Sequence, residues 1–314
     1  MSPNFKILVG FDGFTDSIYH VVEERKNADE TSFFSSIPSF ARRLEKAANV
    51  SCNIELVLET TRLGGNAPLM AKALLDKGAS INFIGTIGEP QIESVFADFA
   101  SNCSHVISLG PSGKSDALEF QDGKIILGKH DSILHINEKT LLSKAGSLLK
   151  TLWEESDLIA MVNWTMFPSM NAIWHYLQTT YNPTGKLFFF DLADPSKRQP
   201  ADLKEALRLI ARFDRSILGL NESEAAQIKA LVGPDFPHNM GISEIVVHSK
   251  TSSLVYAEKS SFEVKTALIQ NPVTLTGAGD NFNAGYCFAR LQKKDYKASL
   301  EEACEAARRY ITKT

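Results

Sequence analysis

The sequence predicts an α/β fold with a mostly parallel central sheet and helices on both of its faces. From residue 141 onward, short apolar runs typical of strands buried on both faces alternate with helical patterns. A chain of 314 residues, 44% of them hydrophobic, is also long enough to bury a large core. The strand candidates are Leu158–Val162, Leu187–Phe190, Ile217–Leu220 and Glu244–Val247, and the helical stretches lie near 141–155, 169–180, 201–212 and 223–231.

Composition and charge exclude several classes of partner. The formal net charge is -4 and the basic residues are dispersed along the chain, so we expect no nucleic-acid partner. No apolar run approaches the roughly 18 residues that a membrane span needs, so we expect no membrane partner. The 4 cysteines lack CxxC spacing and are typical of reduced thiols. These features together predict a cytoplasmic protein.

The first half of the chain contains shorter patterns. Lys6–Val9 is a buried type of strand, and a short helix is predicted from about Ser39. Residues 116–127 alternate around Asp122-Gly123, a pair that favours the type I′ turn of a β-hairpin. Residues 254–270 are too irregular to assign to helix or strand.

Two aspartates follow the first predicted strand. Ligands of open α/β sheets bind beyond the carboxyl ends of the strands, so Asp12 and Asp16 are both candidates to bind a substrate. A turn-forming role, in which each carboxylate bonds nearby backbone, is the alternative for both.

A Gly-Gly turn opens the next helical pattern. Gly64 and Gly65 leave the backbone bare, so a ligand could lie against it, and the adjacent Asn66 can both donate and accept hydrogen bonds toward a polyol. We therefore predict that these three residues contact the substrate.

Polar residues also follow the later strands. Asn163 is placed to reach a substrate, although an Asn that starts a loop is the commoner case. Asp191 follows the Phe188–Phe190 run. Asn221 and Glu224 could help to hold a hydrated Mg²⁺ ion, and their spacing also fits a helix capping box.

The strongest functional signal is the segment Thr276-Gly277-Ala278-Gly279-Asp280, which opens a helical pattern. Free amides and the positive end of the helix dipole would hold an anion at this turn. Asp280 would repel that anion unless it accepts a proton from an attacking hydroxyl group. The alternative is a simple N-cap aspartate on a Gly-rich turn.

This segment and the following Asn281-Phe282-Asn283-Ala284-Gly285 resemble the C-terminal motif of the ribokinase-like (PfkB) carbohydrate kinases. Residues 63–79, 188–198 and 221–224 extend the resemblance in the family's order. The resemblance implies a ribokinase-like α/β fold, residues 1–314 as one domain, and a small β lid from about 12–20, 54–62 and 105–128. It also implies ATP and Mg²⁺ as cofactors, a sugar-like substrate, and the lid as a surface for homodimer formation.

The residue patterns and the resemblance together give each candidate a role, with Ser249 and Lys250 as replacements for contacts of the family's nucleotide loop. Asp280 is the base, and the amides of Gly277, Ala278 and Gly279 form the anion hole. The substrate set is Asp12, Asp16, Gly64, Gly65, Asn66 and Asn163; the nucleotide set is Asn221, Ser249, Lys250, Thr276 and Asn283; and the metal set is Asp191 and Glu224.

Two departures from the family pattern leave other functions open. Leu69 stands where the family has a sugar-contacting Asn, which favours a kinase of a nucleoside or a vitamin alcohol. Residues 248–253 lack the two glycines of the family's nucleotide loop, which favours a non-catalytic small-molecule-binding relative. The expected function remains ATP-dependent phosphorylation of a hydroxyl group on a small sugar.

Overall fold

The computed structural model describes residues 4–181, 184–257, 259–270, 272–274 and 276–312. The strands in chain order are β1 Lys6–Phe11, β2 Phe14–Arg25, β3 Thr31–Phe33, β4 Leu56–Gly64, β5 Ser80–Gly85, β6 His105–Ser108, β7 Gly113–Phe120, β8 Gly123–Lys129, β9 Leu158–Val162, β10 Leu187–Asp191, β11 Ser216–Asn221, β12 Glu244–His248, β13 Ser252–Ala257 and β14 Ser260–Lys265.

The helices cover the sheet and carry the polar turns of the site. They are α1 Ile37–Glu45, α2 Asn66–Leu75, α3 Ala97–Ser101, α4 Glu138–Ala145, α5 Leu148–Glu155, α6 Met170–Tyr181, α7 Pro200–Ile210, α8 Glu222–Val232, α9 Ala278–Leu291 and α10 Tyr296–Thr312. None of the helices described is long and apolar enough to cross a membrane.

Within the described ranges, the large sheet has the strand order β14-β13-β12-β11-β10-β9-β1-β5-β6. The strands from β12 to β6 run parallel, and β13 and β14 are antiparallel additions at one edge. Every residue of β9 and of β10 is buried, because helices pack on both faces of the sheet. The predicted mostly parallel α/β fold is confirmed.

One core cluster lies on each face of the large sheet. The first contains Trp153 from α5 and Trp174 from α6. The second contains Met70 from α2 and Tyr286 from α9. The packing of α2 and α9 on the same face brings the N-termini of these two helices into one region of the molecule.

The strands β3, β2, β7 and β8, with β4 paired to β2, form a second sheet, here called the lid sheet. Helix α1 closes one of its faces through Phe40, which packs with Phe34 and Phe120. The lid sheet therefore draws on the predicted ranges 12–20 and 54–62 and on the hairpin. Residues 105–108, which lie inside the predicted lid range, form β6 and pair with β5 in the large sheet instead.

Glu244 at the start of β12 anchors α9 to the large sheet. Its carboxylate accepts hydrogen bonds from the Tyr286 hydroxyl at 2.7 Å and from the Arg290 Nη2 at 2.9 Å. The Arg290 guanidinium also stacks over the Tyr296 ring, 4.4 Å from its centroid. Helix α9, whose first turn carries Asp280, is thus held by a buried ion pair in addition to apolar packing.

Candidate functional site

Four neighbouring strands deliver the predicted polar residues to one edge of the large sheet. Asp191 and Asn221 are the last residues of β10 and β11, while Asp12 and Asn163 directly follow β1 and β9. Because β11, β10, β9 and β1 are adjacent and parallel, these side chains lie in one row.

Asp12 is fully buried and its carboxylate accepts three hydrogen bonds. It accepts hydrogen bonds from the Asn66 amide at 2.9 Å, the Ala67 amide at 2.7 Å and the Asn163 Nδ2 at 2.6 Å. Burial raises its pKa to about 6, and these hydrogen bonds oppose the shift. The carboxylate caps the first turn of α2, so the turn-type alternative that the sequence left open is observed. The contact of Asp12 with a substrate stays a prediction.

Asp16 lies on the lid sheet and faces the Gly-Gly turn. Its Oδ1 accepts a hydrogen bond from the Ser115 hydroxyl on the neighbouring strand β7. A Cβ added at Gly64 would collide with the Asp16 carboxylate, and a Cβ added at Gly65 would stand 2.9 Å from the Asp12 Oδ2. Gly65 also has φ +95°, which side chains rarely adopt. Each glycine of the turn therefore makes room for one carboxylate.

The side chain of Asn163 connects Asp12 with the side chain of Asn66. Asn163 adopts a left-handed backbone with φ 64°, and its Nδ2 also lies 3.4 Å from the Asn66 Oδ1. The Asn163 Oδ1 is buried and has no hydrogen-bond partner among the described residues. An unsatisfied buried acceptor is costly, so this amide is suited to receive a donor from a bound molecule.

Asp191 is held by its own loop and by α9. It accepts hydrogen bonds from the Ala193 amide at 2.7 Å and from the Asn283 Nδ2 at 3.0 Å. Burial raises its pKa to about 6. Asn283 was predicted to contact the nucleotide, but the structure buries its side chain and uses it to orient Asp191.

Asn221 and Glu224 form the capping box of α8. The Glu224 amide donates to the Asn221 Oδ1 at 3.0 Å, and the Glu224 Oε2 accepts from the Asn221 amide at 2.9 Å. Burial, followed by the negative charge of Asp191, raises the pKa of Glu224 to about 8. The capping-box alternative is thus observed, and the metal-binding role stays a prediction.

The carboxylates do not form a ready-made metal cage. No group of three His, Cys, Asp or Glu side chains within the described residues could hold a metal ion directly. Mg²⁺ usually keeps several waters and binds through one or two carboxylates together with substrate phosphates. The oxygen donors of Asp191 and Glu224 fit that indirect mode, in which water and nucleotide would complete the coordination.

Residues 276–280, here called the anion turn, open helix α9. Gly277 is the N-cap with φ +96°, and the first helical hydrogen bond runs from the Asn281 amide to the Gly277 carbonyl at 3.0 Å. The amides of Ala278 and Gly279 therefore have no partner within the helix. The Tyr310 hydroxyl on α10 donates a hydrogen bond to the Thr276 carbonyl at 2.9 Å, and this bond attaches the turn to α10.

Asp280 lies in the first turn of α9 and is half-buried. Burial raises the pKa of Asp280 well above its ordinary value, and the negative charges of Asp191, Asp12 and Glu224 raise it further. A carboxylate with a raised pKa is a better proton acceptor than an ordinary aspartate, provided that it is ionised at the working pH. Its placement beside free amides allows proton transfer and anion binding at one point.

A cavity of about 640 Å³ begins at the anion turn. Ala278 and Gly279 line one end with Asn221, Ser249 and Lys250, and the walls are apolar: Val264, Ala267, Ile269, Phe282, Ala307 and Ile311. A volume of this size suits a small organic ligand. Of the predicted nucleotide residues, Thr276 is outside the cavity lining, and its carbonyl binds Tyr310 instead.

The histidine at the end of β12 forms part of the same cavity. The His248 ring packs on Phe282 with centroids 4.9 Å apart, and burial lowers its pKa to about 4. It is therefore neutral near pH 7. Sequence reasoning missed Val264 and the cavity wall around it, although the alternation of Phe262 and Val264 in β14 is a strand signal.

The comparisons with known proteins agree with this geometry. The profile described as prokaryotic ketohexokinase matches residues 2–313. A ketohexokinase of Haloferax volcanii is 25% identical over 307 residues, which cover 91% of this chain and 81% of that protein.

Solved structures with the same fold include a carbohydrate kinase from Agrobacterium tumefaciens. It is 20% identical, with a TM-score of 0.68 and coverage of 96% of this chain and 89% of that one. An adenosine kinase from Sinorhizobium meliloti is 18% identical, with a TM-score of 0.67 and coverage of 98% and 94%. At these identities the structures establish the fold alone, and they confirm the predicted ribokinase-like architecture.

Proposed function

The chain belongs to the prokaryotic ketohexokinase family, and from that premise we propose that it transfers the γ-phosphoryl group of ATP to a hydroxyl group of a ketohexose. The predicted class of enzyme, a carbohydrate kinase, is confirmed by this membership. ATP as donor, Mg²⁺, the acceptor and the roles of individual residues are the content of the proposal.

One observation carries the proposed mechanism. Asp280 stands beside the free amides of Ala278 and Gly279, at the point where the apolar cavity meets the row of strand-end acids. Burial and the neighbouring acids Asp191, Asp12 and Glu224 disfavour the charged form of Asp280 in the free protein, and they raise its pKa. The arrangement becomes useful when that acid takes a proton from a hydroxyl group that attacks a phosphorus atom.

In this proposal the cavity holds the nucleotide. The adenine would lie against Phe282 and Ala307, and the phosphates would extend toward Lys250 and the anion turn. The amides at the N-terminus of α9 then donate to the oxygens of the transferring group. Bound Mg²⁺ would neutralise phosphate charge near Asp191 and Glu224.

The acceptor would lie between the lid sheet and the Gly-Gly turn. Asp16 projects from the lid sheet toward Gly64. It is the carboxylate best placed to bind acceptor hydroxyls, since Asp12 is fully buried and already accepts three hydrogen bonds. Asp280 accepts the proton of the attacking hydroxyl. Positioning and electrostatic stabilisation account for most of phosphoryl-transfer catalysis, so few residue types are required.

The test is release of ADP across a panel of ketohexoses, aldoses and nucleosides, with and without Mg²⁺. We expect Mg²⁺-dependent turnover with a ketohexose. Turnover confined to nucleosides would contradict the proposed acceptor, and absence of nucleotide binding in calorimetry would contradict kinase activity altogether.

The matched variant is Asp280→Asn. Loss of a positioned base lowers the rate by roughly 10² to 10⁴, so kcat should fall by that factor while calorimetric binding of Mg·ATP is retained. Asp98→Asn, which changes an exposed carboxylate on α3, is the control and should keep normal turnover. An Asp280→Asn enzyme that turns over at the wild-type rate would remove Asp280 from the mechanism.

A further inference from the structure

Arg62 lies on the face of the lid sheet that carries Asp16. The two residues are direct partners in the antiparallel pairing of β4 with β2, so their side chains share one face of the sheet. Gly64, two residues further along β4, lies on that face too and sits beneath the Asp16 carboxylate. The Arg62 side chain therefore starts from the acceptor side of the candidate site.

Arg62 is half-buried, and its guanidinium has no partner in the described part of the chain. Within the described part of the chain its side chain has no ion pair and no hydrogen bond. Arg25, on the same lid sheet, provides the contrast, because its Nη2 lies 2.6 Å from the Glu55 Oε1. A half-buried arginine that has five donors and uses none of them is available for an external anion.

The charge of Arg62 acts on a residue that contacts the anion turn. That residue is Tyr310, whose hydroxyl donates a hydrogen bond to the Thr276 carbonyl, and three side-chain charges affect its pKa. Burial raises the pKa of Tyr310, the Arg62 charge lowers it, and the charges of Asp280 and Asp16 raise it. The charges of Arg62, Asp16 and Asp280 thus act on one phenol. The Tyr310 hydroxyl lies beside Gly277, since a Cβ added to that glycine would stand 2.6 Å from it.

A cation on the acceptor side of the site would reduce the repulsion between a phosphoryl group and the acids there. The strand-end and lid acids are Asp12, Asp16, Asp191, Glu224 and Asp280. A phosphoryl group that leaves the nucleotide must approach these carboxylates. The α9 amides and Lys250 would contact that group from the cavity proposed for the nucleotide. They would not separate its negative charge from the carboxylates on the acceptor side.

We infer that Arg62 contacts the phosphoryl group from the lid sheet while it passes to the acceptor. This inference rests on the proposed function. In the step, the acceptor oxygen bonds to phosphorus as the bond from phosphorus to the β-phosphate oxygen breaks, and the hydroxyl proton passes to Asp280. Arg62 stays protonated and supplies only N–H donors. A planar guanidinium can bind two phosphoryl oxygens at once, which a lysine cannot do.

The first experiment compares Arg62→Met and Arg62→Lys with the wild type. Loss of a donor to the transferring group costs roughly 10² to 10³ in kcat, and we expect that loss in Arg62→Met with a smaller loss in Arg62→Lys. The Kd of Mg·ATP and the KM of an uncharged ketohexose should remain close to wild-type values. Arg25→Met, a paired arginine on the same sheet, is the control and should retain normal kcat.

The second experiment is chemical rescue. Added guanidinium ion should restore part of the turnover of Arg62→Ala and should leave Arg25→Ala unchanged, a response that loss of structure alone would not give. An Arg62→Met kcat within about twofold of wild type, or an effect confined to the KM of an anionic acceptor, would overturn the inference. Wild-type protein that releases no ADP with any acceptor would overturn the proposed function itself. Normal turnover of the wild type together with normal turnover of Arg62→Met would overturn only the inference about Arg62, so the two failures are distinguishable.

Discussion

The proposed acceptor end and the proposed nucleotide end of the candidate site are built in different ways. At the acceptor end, Asp12 accepts three hydrogen bonds and Asp16 is held by Ser115, so internal polar bonds set the geometry before any ligand binds. At the nucleotide end, apolar side chains form the cavity walls, and the amides of Ala278 and Gly279 have no partner within the helix. The acceptor end is therefore preorganised, whereas the nucleotide end depends on shape and apolar packing.

The largest expected effect separates the two acids of the acceptor end. Asp16→Asn should lower kcat/KM for the acceptor by about 10² or more, because the carboxylate that orients the hydroxyl groups is lost while folding is unaffected. Steady-state kinetics with a saturating nucleotide concentration measures this change. Unchanged kcat/KM in Asp16→Asn would show that the acceptor binds elsewhere.

Asp12→Asn should act on stability instead. An amide cannot accept all three hydrogen bonds, and each buried donor left unsatisfied costs about 1 to 3 kcal/mol of the free energy of unfolding. Urea denaturation at pH 8, where Asp12 is ionised in the wild type, should show a lowered midpoint for Asp12→Asn and no change for Asp16→Asn. Equal midpoints for the two variants would contradict the capping role of Asp12.

A smaller effect is expected from narrowing the nucleotide end. Ala307→Leu adds bulk to the apolar wall contributed by α10, and overpacking costs about 1 to 3 kcal/mol. The Kd of Mg·ATP should therefore rise by roughly tenfold or more in calorimetry, with the KM of the acceptor unchanged. Lys297→Leu, at an exposed position outside the cavity, is the control. If nucleotide affinity is insensitive to Ala307→Leu, the cavity is not the nucleotide site.

Both ends of the site should also contribute a pH dependence of stability. The pKa values of Asp12 and Glu224 are raised to about 6 and about 8, so the folded protein keeps protons that the unfolded chain releases at lower pH. Stability should accordingly fall as pH rises between about 4 and about 8 in the absence of ligands. Urea midpoints across this range measure the slope.

Two variants divide this slope between the ends of the site. Asp12→Asn should reduce the slope between about pH 4 and about pH 6, and Glu224→Gln should reduce it up to about pH 8. Asp191 and Asp280, whose pKa values are also raised, should keep part of the slope in both variants. Stability of the wild type that rises steadily with pH through this range would show that neither acid carries a raised pKa.

Several elements were predictable because their determinants are local. The apolar runs of β9 and β10 identify strands buried on both faces, and the Gly-rich segment before Asp280 identifies a helix N-terminus. Strands β13 and β14 are not predictable from the irregular stretch 254–270, since they form by antiparallel pairing of β13 with β12 and of β14 with β13.

The sequence by itself determined the alternation of strands and helices, the Gly-Gly turn at Gly64 and Gly65, and the anion turn before Asp280, because backbone preference and residue periodicity act over short stretches of chain. Only the tertiary structure decided that Asp12 caps α2, that Asn283 orients Asp191, and that Arg62 stands opposite Asp16. Those pairs join residues far apart in the chain. Strand order and register bring them together, and a carboxylate's role depends on which donors the fold places around it.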